Sequence, residues 1–389
     1  MTRTLLVLTD KPSATQHISF TQPLQHACSG DAIRLVLDSG KEAGRTPAEH
    51  LAYWEQHHPT TLVLSRYSGD SAMPLLKLAR KCNVPSIFHI DDDLLDVPLT
   101  LGKDKYNHYH QPQRLANLRA ALDASDLVYA STSELAQQLR AHGIRSRVHS
   151  GTLYCTADID RLKPHAPASA PVIGYMGTGG HSQDLASVLP ALTQLMDELP
   201  ALRFETFGTI SPPAEMARFG ARYLHHPGIA DYDDFLAGLC NLGWWVGIAP
   251  LEDNPFNRCK ADTKWVEYTV AGLAVVASDL PVYHRACSDG AGALAGPDAD
   301  WVDSLRRLVC DGVQRQRMVQ AAQDKLRRSY TRSLLSQQLM EVIEAAKVQH
   351  SERAGLALSH VGSPPGCTGS AARSANEALE SRCRNRTTF

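Results

Sequence analysis

Short apolar runs recur along this chain, each set off from the next by a stretch of helical periodicity, and the alternation runs through twice. LLVLT at 5–9, AIRLVLDSG at 32–40, TLVLSR at 61–66, SIFHI at 86–90 and DLVYAST at 126–132 read as strands. Between them SAMPLLKLARKCN and RLANLRAALDAS read as crossover helices, and STSELAQQLRAHG has a Ser/Thr start, apolar spacing and a closing Gly143. Strands that alternate with helices build a parallel sheet, so the fold class predicted is α/β.

The alternation breaks at RLKPHAPASAP, 161–171, whose proline and alanine content reads as an interdomain linker, and then restarts. PVIGYMG, LRFETFG and WWVGIAPL are the next strands, with SVLPALTQLMDEL and DYDDFLAGLCN as helices between them, and DWVDSLRRLVCDG opens a helical region that lasts to about 329. A chain of 389 residues is too long for one ordinary core. Two Rossmann-like domains are therefore expected, 1–165 and 170–330. An amphipathic helix over 331–348, apolar at 334, 335, 339, 342, 343 and 346, is expected to pack on one of them. Residues 349–389, rich in Ser, Gly, Ala and Arg without periodicity, read as a disordered tail with no chemistry.

A net charge of −2 and a pI near 6.8 give no electrostatic footprint for nucleic acid, so DNA and RNA are not expected partners. Nine cysteines, an odd number without a CxxC pair, read as reduced thiols in a cytoplasmic protein. TRTLLVLTD at the N-terminus reads as a strand rather than a signal segment, and no run approaches the roughly 18 apolar residues of a membrane span. The expectation is a soluble protein, at most peripheral on the inner face of a membrane. Histidines 57, 58, 225 and 226 read as loop pairs without ligand spacing, and no GxSxG elbow or Ser-His-Asp order supports hydrolase chemistry.

The richest segment is WVGIAPLEDNPFNRCKADTKWVEYTVAGLAVVASD, 245–279: a strand, a polar loop, a short helix and a second strand. With Asp262 as N-cap and Gly272 as stop, Lys264 falls in the first turn and Glu267 about one turn deeper. Lys260, Lys264 and Glu267 can then share a face. A helix N-terminus with a lysine suits a diphosphate, and a carboxylate one turn on can accept from both hydroxyls of a ribose. The bland alternative is an ordinary i,i+3 surface pair. Position favours a site, because open α/β sheets bind ligands beyond the carboxyl ends of their strands, where the loop after Pro250 emerges.

Two further segments carry chemistry. GYMGTGGHSQD, 174–184, joins a strand to a helix through three consecutive-turn glycines and reads as a phosphate or sugar cradle, or as a turn kept small for packing. HIDDDLLDVP, 89–98, sets His89 and Asp91 to Asp93 after a strand. It reads as a solvated turn, a DxD metal site, or polar groups facing an interdomain cleft, with His89 alternatively a core histidine.

With these residues in view, the chain resembles the GT-B glycosyltransferases of the large group 1 (family 4) class, especially branches encoded with bacterial surface-polysaccharide genes. GYMGTGGHSQDL looks like the class's Gly-rich donor loop, PGIADYDDFLAGLCNLGWWVGIAP like its base-side loop, helix and strand, and KWVEYTVAGLAVVAS like its E-x-M-A-x-G-x-P-V-V-A segment; HIDDDLLDVP and STSELAQQL are similar to first-domain segments. The resemblance implies two Rossmann-like domains with parallel sheets facing across a cleft. It implies retaining, metal-independent transfer from a nucleotide-diphosphate sugar, used as donor substrate with no cofactor, to a glycan or lipid-linked acceptor. Glu267 would hold the ribose, Lys260 or Lys264 the diphosphate, Gly177, Thr178 and Gly179 would bring backbone close to it, and Ile229 would lie beside the base. His89 or Asp91 would contact the transferred sugar or acceptor, giving His89, Asp91 and Lys264 as catalytic candidates. The class usually places a glutamate eight residues before the ribose-binding one, where this chain has Cys259, so Asn254 and Asn257 of NPFN are expected to face the sugar instead, with Glu252 and Asp253 as alternatives. The arginine of the class's Gly-rich loop is also missing. These departures motivate a second reading, a non-catalytic module that binds a nucleotide sugar or glycan for a partner enzyme, and Asp91 to Asp93 a third, a nucleotide-sugar epimerase or hydrolase.

Overall fold

The computed structural model describes residues 3–25, 33–158, 167–296 and 298–359. The first sheet has six parallel strands, β1 (Arg3–Leu8), β2 (Ile33–Asp38), β3 (Thr61–Ser65), β4 (Ser86–Ile90), β5 (Leu127–Ala130) and β6 (Arg147–Ser150), in the order β2-β1-β3-β4-β5-β6. The second has another six, β7 (Val172–Gly177), β8 (Arg203–Gly208), β9 (Tyr223–Pro227), β10 (Val246–Ala249), β11 (Ala274–Ser278) and β12 (Ala293–Ala295), in the order β12-β11-β10-β7-β8-β9. The central strands are buried along their whole length, which is why they read as unbroken apolar runs: helices cover both faces of the sheet and leave no side for polar residues. Of the expected linker, residues 161–166 lie outside the described residues.

Each sheet reverses its direction of growth once, between β1 and β3 in the first and between β7 and β10 in the second. Loops leaving a sheet at such a point diverge and open a crevice above the carboxyl ends. In the second sheet the divergence is visible in the ladder. β7 and β10 share only the register pairs Ile173↔Val246 and Gly174↔Gly247. Beyond them the phenol of Tyr268 stands between the strands, accepting from Met176 N at 3.0 Å and donating to Ile248 O at 3.0 Å. Gly247 is required there, since a Cβ would lie 2.6 Å from the Tyr268 ring. The helix Thr263–Val270 is thereby pinned over the switch point.

The helix Arg332–Ser359 returns from the second domain to the first. Leu339, Val342, Ile343 and Ala346 share a core with Leu5, Val7, Phe20, Val63, Ile87 and Leu127. Gln338 fixes its start, accepting from Thr152 N at 2.8 Å and donating to Tyr129 Oη at 2.6 Å and Leu153 O at 2.7 Å. Eleven residues of the tail expected over 349–389, those from 349 to 359, are therefore helical. SERAGLALS contains no proline and good helix formers, so propagation from a docked helix wins over local composition. Residues 360–389 of that expectation lie outside the described residues. Among the described residues no helix is long and apolar enough to cross a membrane.

One loop of the second domain docks into the first. Phe256 and Cys259 belong to a hydrophobic core made otherwise of first-domain residues. Thr132, N-cap of the helix Ser133–Ala141, donates to Cys259 O at 2.8 Å while its hydroxyl accepts from Leu135 N at 3.1 Å.

Candidate functional site

Above the carboxyl ends of β7 and β8 lies a cavity of about 230 Å³. Gly177, Thr178 and His181 come to it from the turn after β7, Lys264 and Glu267 from the helix over the switch point, and Ile229, Phe207 and Phe235 from the far side. Phe207 and Phe235 stack at 5.1 Å, and Ile229, 41% exposed, stands beside them: a flat apolar end opposite a charged one. Sequence reasoning placed Lys264, Glu267, Ile229, Gly177 and Thr178 in one site, and the structure brings them to one cavity. Gly179 follows directly in the same turn.

Charge at the polar end is buried. Glu267 is 7% exposed, and burial pushes its carboxyl up to about 7, against the pull of Lys264 and a hydrogen bond from Tyr232. Burial likewise holds the Lys264 ammonium below the ordinary lysine value, with Lys260 adding to the effect, and its Nζ lies 5.7 Å from the centre of the Tyr175 ring. Asp262 does begin this helix, but its carboxylate accepts from Tyr330 Oη at 2.6 Å instead of capping a backbone N–H. The first-turn N–H groups are thus not taken by the side chain a capping motif would supply.

Sequence reasoning missed the pair beside it. His181 Nδ1 is 2.8 Å from Asp184 Oδ2, and Asp184 Oδ1 accepts from Glu252 N at 2.9 Å and Asn257 Nδ2 at 3.0 Å. Lys264 and then burial lower the imidazole to about 4, so at neutral pH it is uncharged. Hydrogen bonds from His181 and Glu252 N, with the charge of Lys264, hold the Asp184 carboxylate below its usual range in spite of burial. His181 then donates from Nδ1 and leaves Nε2 as an acceptor on a side chain that lines the cavity. The i,i+3 spacing of His181 and Asp184 at a helix start was the available signal.

Three expected residues sit elsewhere. Asn254 caps the helix Pro255–Arg258, accepting from Asn257 N at 2.8 Å, and Asn257 is buried with its amide donating to Asp184 and Glu252 O. Both serve the loop's own shape, because a turn between a strand and a short helix must satisfy its backbone locally. His89 is 1% exposed, its Nδ1 3.0 Å from Ser65 Oγ and its ring against Phe20 and Tyr129, with burial lowering it to about 4. Strand alternation turns His89 to the face covered by the C-terminal helix rather than to the cleft. Cys259, at the position where the resemblance expects a glutamate, is buried against the first domain with its thiol pushed up to about 12.

The three aspartates after His89 part company. Asp91 accepts from Thr15 Oγ1 at 2.8 Å and Tyr154 Oη at 2.9 Å and pairs with Arg66 at 3.1 Å; the guanidinium keeps its carboxyl below the usual range despite burial. Arg66, another residue the sequence did not flag, has a left-handed backbone at φ 55 and also donates to Tyr109 Oη. Asp92 reaches Arg66 and, across the cleft, Lys260, each at 3.6 Å. Asp93 turns inward to His142 at 2.8 Å. Among the described residues no three His, Cys, Asp or Glu side chains converge as metal ligands. Histidines 225 and 226 lie in β9 rather than a loop, His226 at 2.8 Å from the buried Glu205.

No protein-family model matches the sequence, and no curated protein matches it. Solved structures do. A glycosyltransferase from Rickettsia africae superposes with a TM-score of 0.62 at 11% identity, covering 89% of this chain and 98% of that one. HepE of Anabaena, in complex with UDP and glucose, gives 0.61 at 16% over 88% of this chain and 100% of its own. Sucrose-phosphate synthase from Thermosynechococcus elongatus gives 0.59 at 12% over 92% and 100%. The chain has the GT-B fold of these glycosyltransferases, two parallel-stranded α/β domains facing each other. At these identities the likeness is one of fold.

Proposed function

We propose that this protein transfers a glycosyl group from a nucleoside-diphosphate sugar to a hydroxyl of a glycan or lipid-linked acceptor, with the donor on the second domain. The observation that carries the reading is that Glu267, buried, and Lys264, partly buried, line the same cavity beside the switch point as the Gly-rich turn and the Phe207–Phe235 stack. Such an arrangement matches a nucleoside diphosphate end to end: base beside Ile229 and the stacked rings, ribose hydroxyls on Glu267, diphosphate by Lys264, Lys260 and the backbone of Gly177 to Gly179. In transfer the bond from the sugar's anomeric carbon to the diphosphate oxygen breaks and its electron pair stays on the diphosphate. Lysine charge at that oxygen stabilises the transition state more than the ground state. HepE, bound to UDP and glucose in a similar fold, supports a uridine donor as the first to try.

Finer points belong to the same proposal. Retention, transfer without a metal, a place in bacterial surface-polysaccharide synthesis within group 1 (family 4), and a cytoplasmic location with peripheral membrane contact follow from the resemblance. Asp91, at the first-domain edge of the cleft, is the residue of that domain proposed to face the transferred sugar. His89 reaches the substrate only if its cover moves.

The test is thermal shift and donor turnover with UDP-, GDP- and dTDP-sugars, with and without acceptor, on wild type and Glu267→Ala. A shift with one nucleotide that the substitution removes supports the site; absence of any shift sinks it. A second reading, a binding module without transfer, has Cys259 behind it, since its thiol is buried against the first domain and supplies no carboxylate to a sugar. Donor binding with no turnover in any acceptor mixture would select it. An epimerase or hydrolase is less supported, because Asp91 and Asp93 are each committed to partners inside the first domain.

A further inference from the structure

One cation of the first domain reaches the Gly-rich turn of the second. Lys105 lies in the helix Lys103–Tyr109, and a Cβ added to Gly180 would stand 2.4 Å from its Nζ. Gly180 is buried and its φ lies outside the left-handed region, so the turn's own backbone does not demand a glycine there. The tip of the Lys105 side chain, itself exposed, occupies the space that a side chain at position 180 would take. The carbonyl of Leu101, from the same first-domain segment, lies 3.6 Å from the same point.

Lys105 makes no hydrogen bond or ion pair with any described residue. Asp92, the carboxylate in its field, is shared by Lys260 and Arg66. Although the side chain is largely exposed, partial desolvation and the charge of Lys260, opposed by Asp92, hold its ammonium below the ordinary lysine value. Lys260 in turn lowers Lys264, which joins the group to the cavity. With Arg66 matched by Asp91, the two lysines face the glycine turn with Asp92 as their shared carboxylate, a place that attracts an anion. The turn GYMGTGGHSQD has no arginine or lysine of its own to meet one.

We infer that Lys105 is a diphosphate-contacting residue, supplied to the donor site across the cleft, and that Gly180 leaves the room in which its ammonium sits. This rests on the donor reading above. The anion is the diphosphate of the donor, because the amine sits on the turn that supplies Gly177, Thr178 and His181 to the cavity. Complete coordination of the leaving group then needs both domains, and a nucleoside without phosphates gains nothing from Lys105.

The test is calorimetry on the full chain with UDP, GDP and dTDP against their nucleosides, for wild type, Lys105→Gln, Lys105→Arg, Gly180→Ala and the Lys105→Gln/Gly180→Ala double variant. Loss of a charge-assisted contact is expected to cut the preference for diphosphate over nucleoside about 10- to 100-fold in Lys105→Gln. Lys105→Arg should restore most of it, which a structural role would not require. Gly180→Ala should lower it in wild type and change nothing further in the double variant, since the two then act through one contact. An unchanged preference in Lys105→Gln, with Glu267→Ala still abolishing binding, overturns this inference alone. Failure of wild type to bind any of the three overturns the donor reading with it. Inorganic phosphate that binds alongside the nucleoside diphosphate, and is lost in Lys105→Gln, assigns the lysine to an acceptor phosphate and also overturns it.

Discussion

The two faces of the cleft hold similar charges in opposite states. On the first-domain face Arg66 is matched: Asp91 and Asp92 balance it, and Thr15, Tyr154 and Tyr109 complete the network. On the second-domain face Glu267 is buried and Lys264 partly buried, neither with an ion pair within 4 Å among the described residues, and desolvation drives both toward neutrality. A balanced network holds a domain together, whereas buried charges left short of partners are a standing cost that a ligand can relieve. Substitutions on the two faces should therefore separate stability from ligand affinity.

The largest effect expected is at Lys264. Lys264→Ala should lower kcat for glycosyl transfer about 10²- to 10³-fold with a much smaller change in donor affinity, as for loss of a group that meets charge only as it develops; equal losses in kcat and affinity would make it a uniform binding group. Next comes Asp91→Asn, which leaves Arg66 uncompensated and should cost about 3 kcal/mol, a fall in Tm of roughly 6–12 °C, with nucleotide affinity unchanged. If affinity falls and Tm holds, the contrast between the faces is reversed. Glu267→Gln should do the converse, weakening nucleotide binding about 10- to 100-fold while Tm stays or rises, because a buried carboxylate has been neutralised.

The pH dependence sharpens the same point. Ribose hydroxyls bond best to the ionised carboxylate, so affinity for UDP-glucose should grow about tenfold from pH 6 to pH 8 around the Glu267 value of about 7 and lose this dependence in Glu267→Gln. Stability runs the other way. The folded carboxyl is raised above its ordinary 4.5, so its contribution is complete below that value and is lost as pH rises through about 7. Affinity and Tm measured across that window on one sample should move in opposite directions. The smallest effect is at Thr132→Val, which removes both a helix cap and the bond to Cys259 O; about 1 kcal/mol is expected by denaturant melting, with donor affinity unaltered.

What the sequence made legible follows physical rules. Strands buried on both faces announce themselves as apolar runs, and β1, β3, β4, β5, β7, β8, β10 and β11 were all visible that way. Of the four edge strands, β2 was visible as AIRLVLDSG, whereas β6, β9 and β12 were not: RVHS and YLHHP are half polar because one side meets solvent, and ALA is too short to show a period. Lys264 and Glu267 could be paired because a helix fixes their spacing within one segment. Arg66 with Asp91, Lys105 with Gly180 and Tyr232 with Glu267 join distant segments, and only the fold places them together. His89 misled because a titratable residue at a strand end looks the same in sequence whether the pleat turns it to the cleft or to the core.

The helix Arg332–Ser359 has a consequence for how the chain is made. Leu5, Val7, Val63, Ile87 and Leu127 are covered by residues 339–346, so on the ribosome the first sheet stands with one face bare while the whole second domain is being synthesised. At about 5–20 residues per second that exposure lasts on the order of 10–40 s. The domain begun first is finished last, and its open apolar face is where a chaperone would meet the nascent chain.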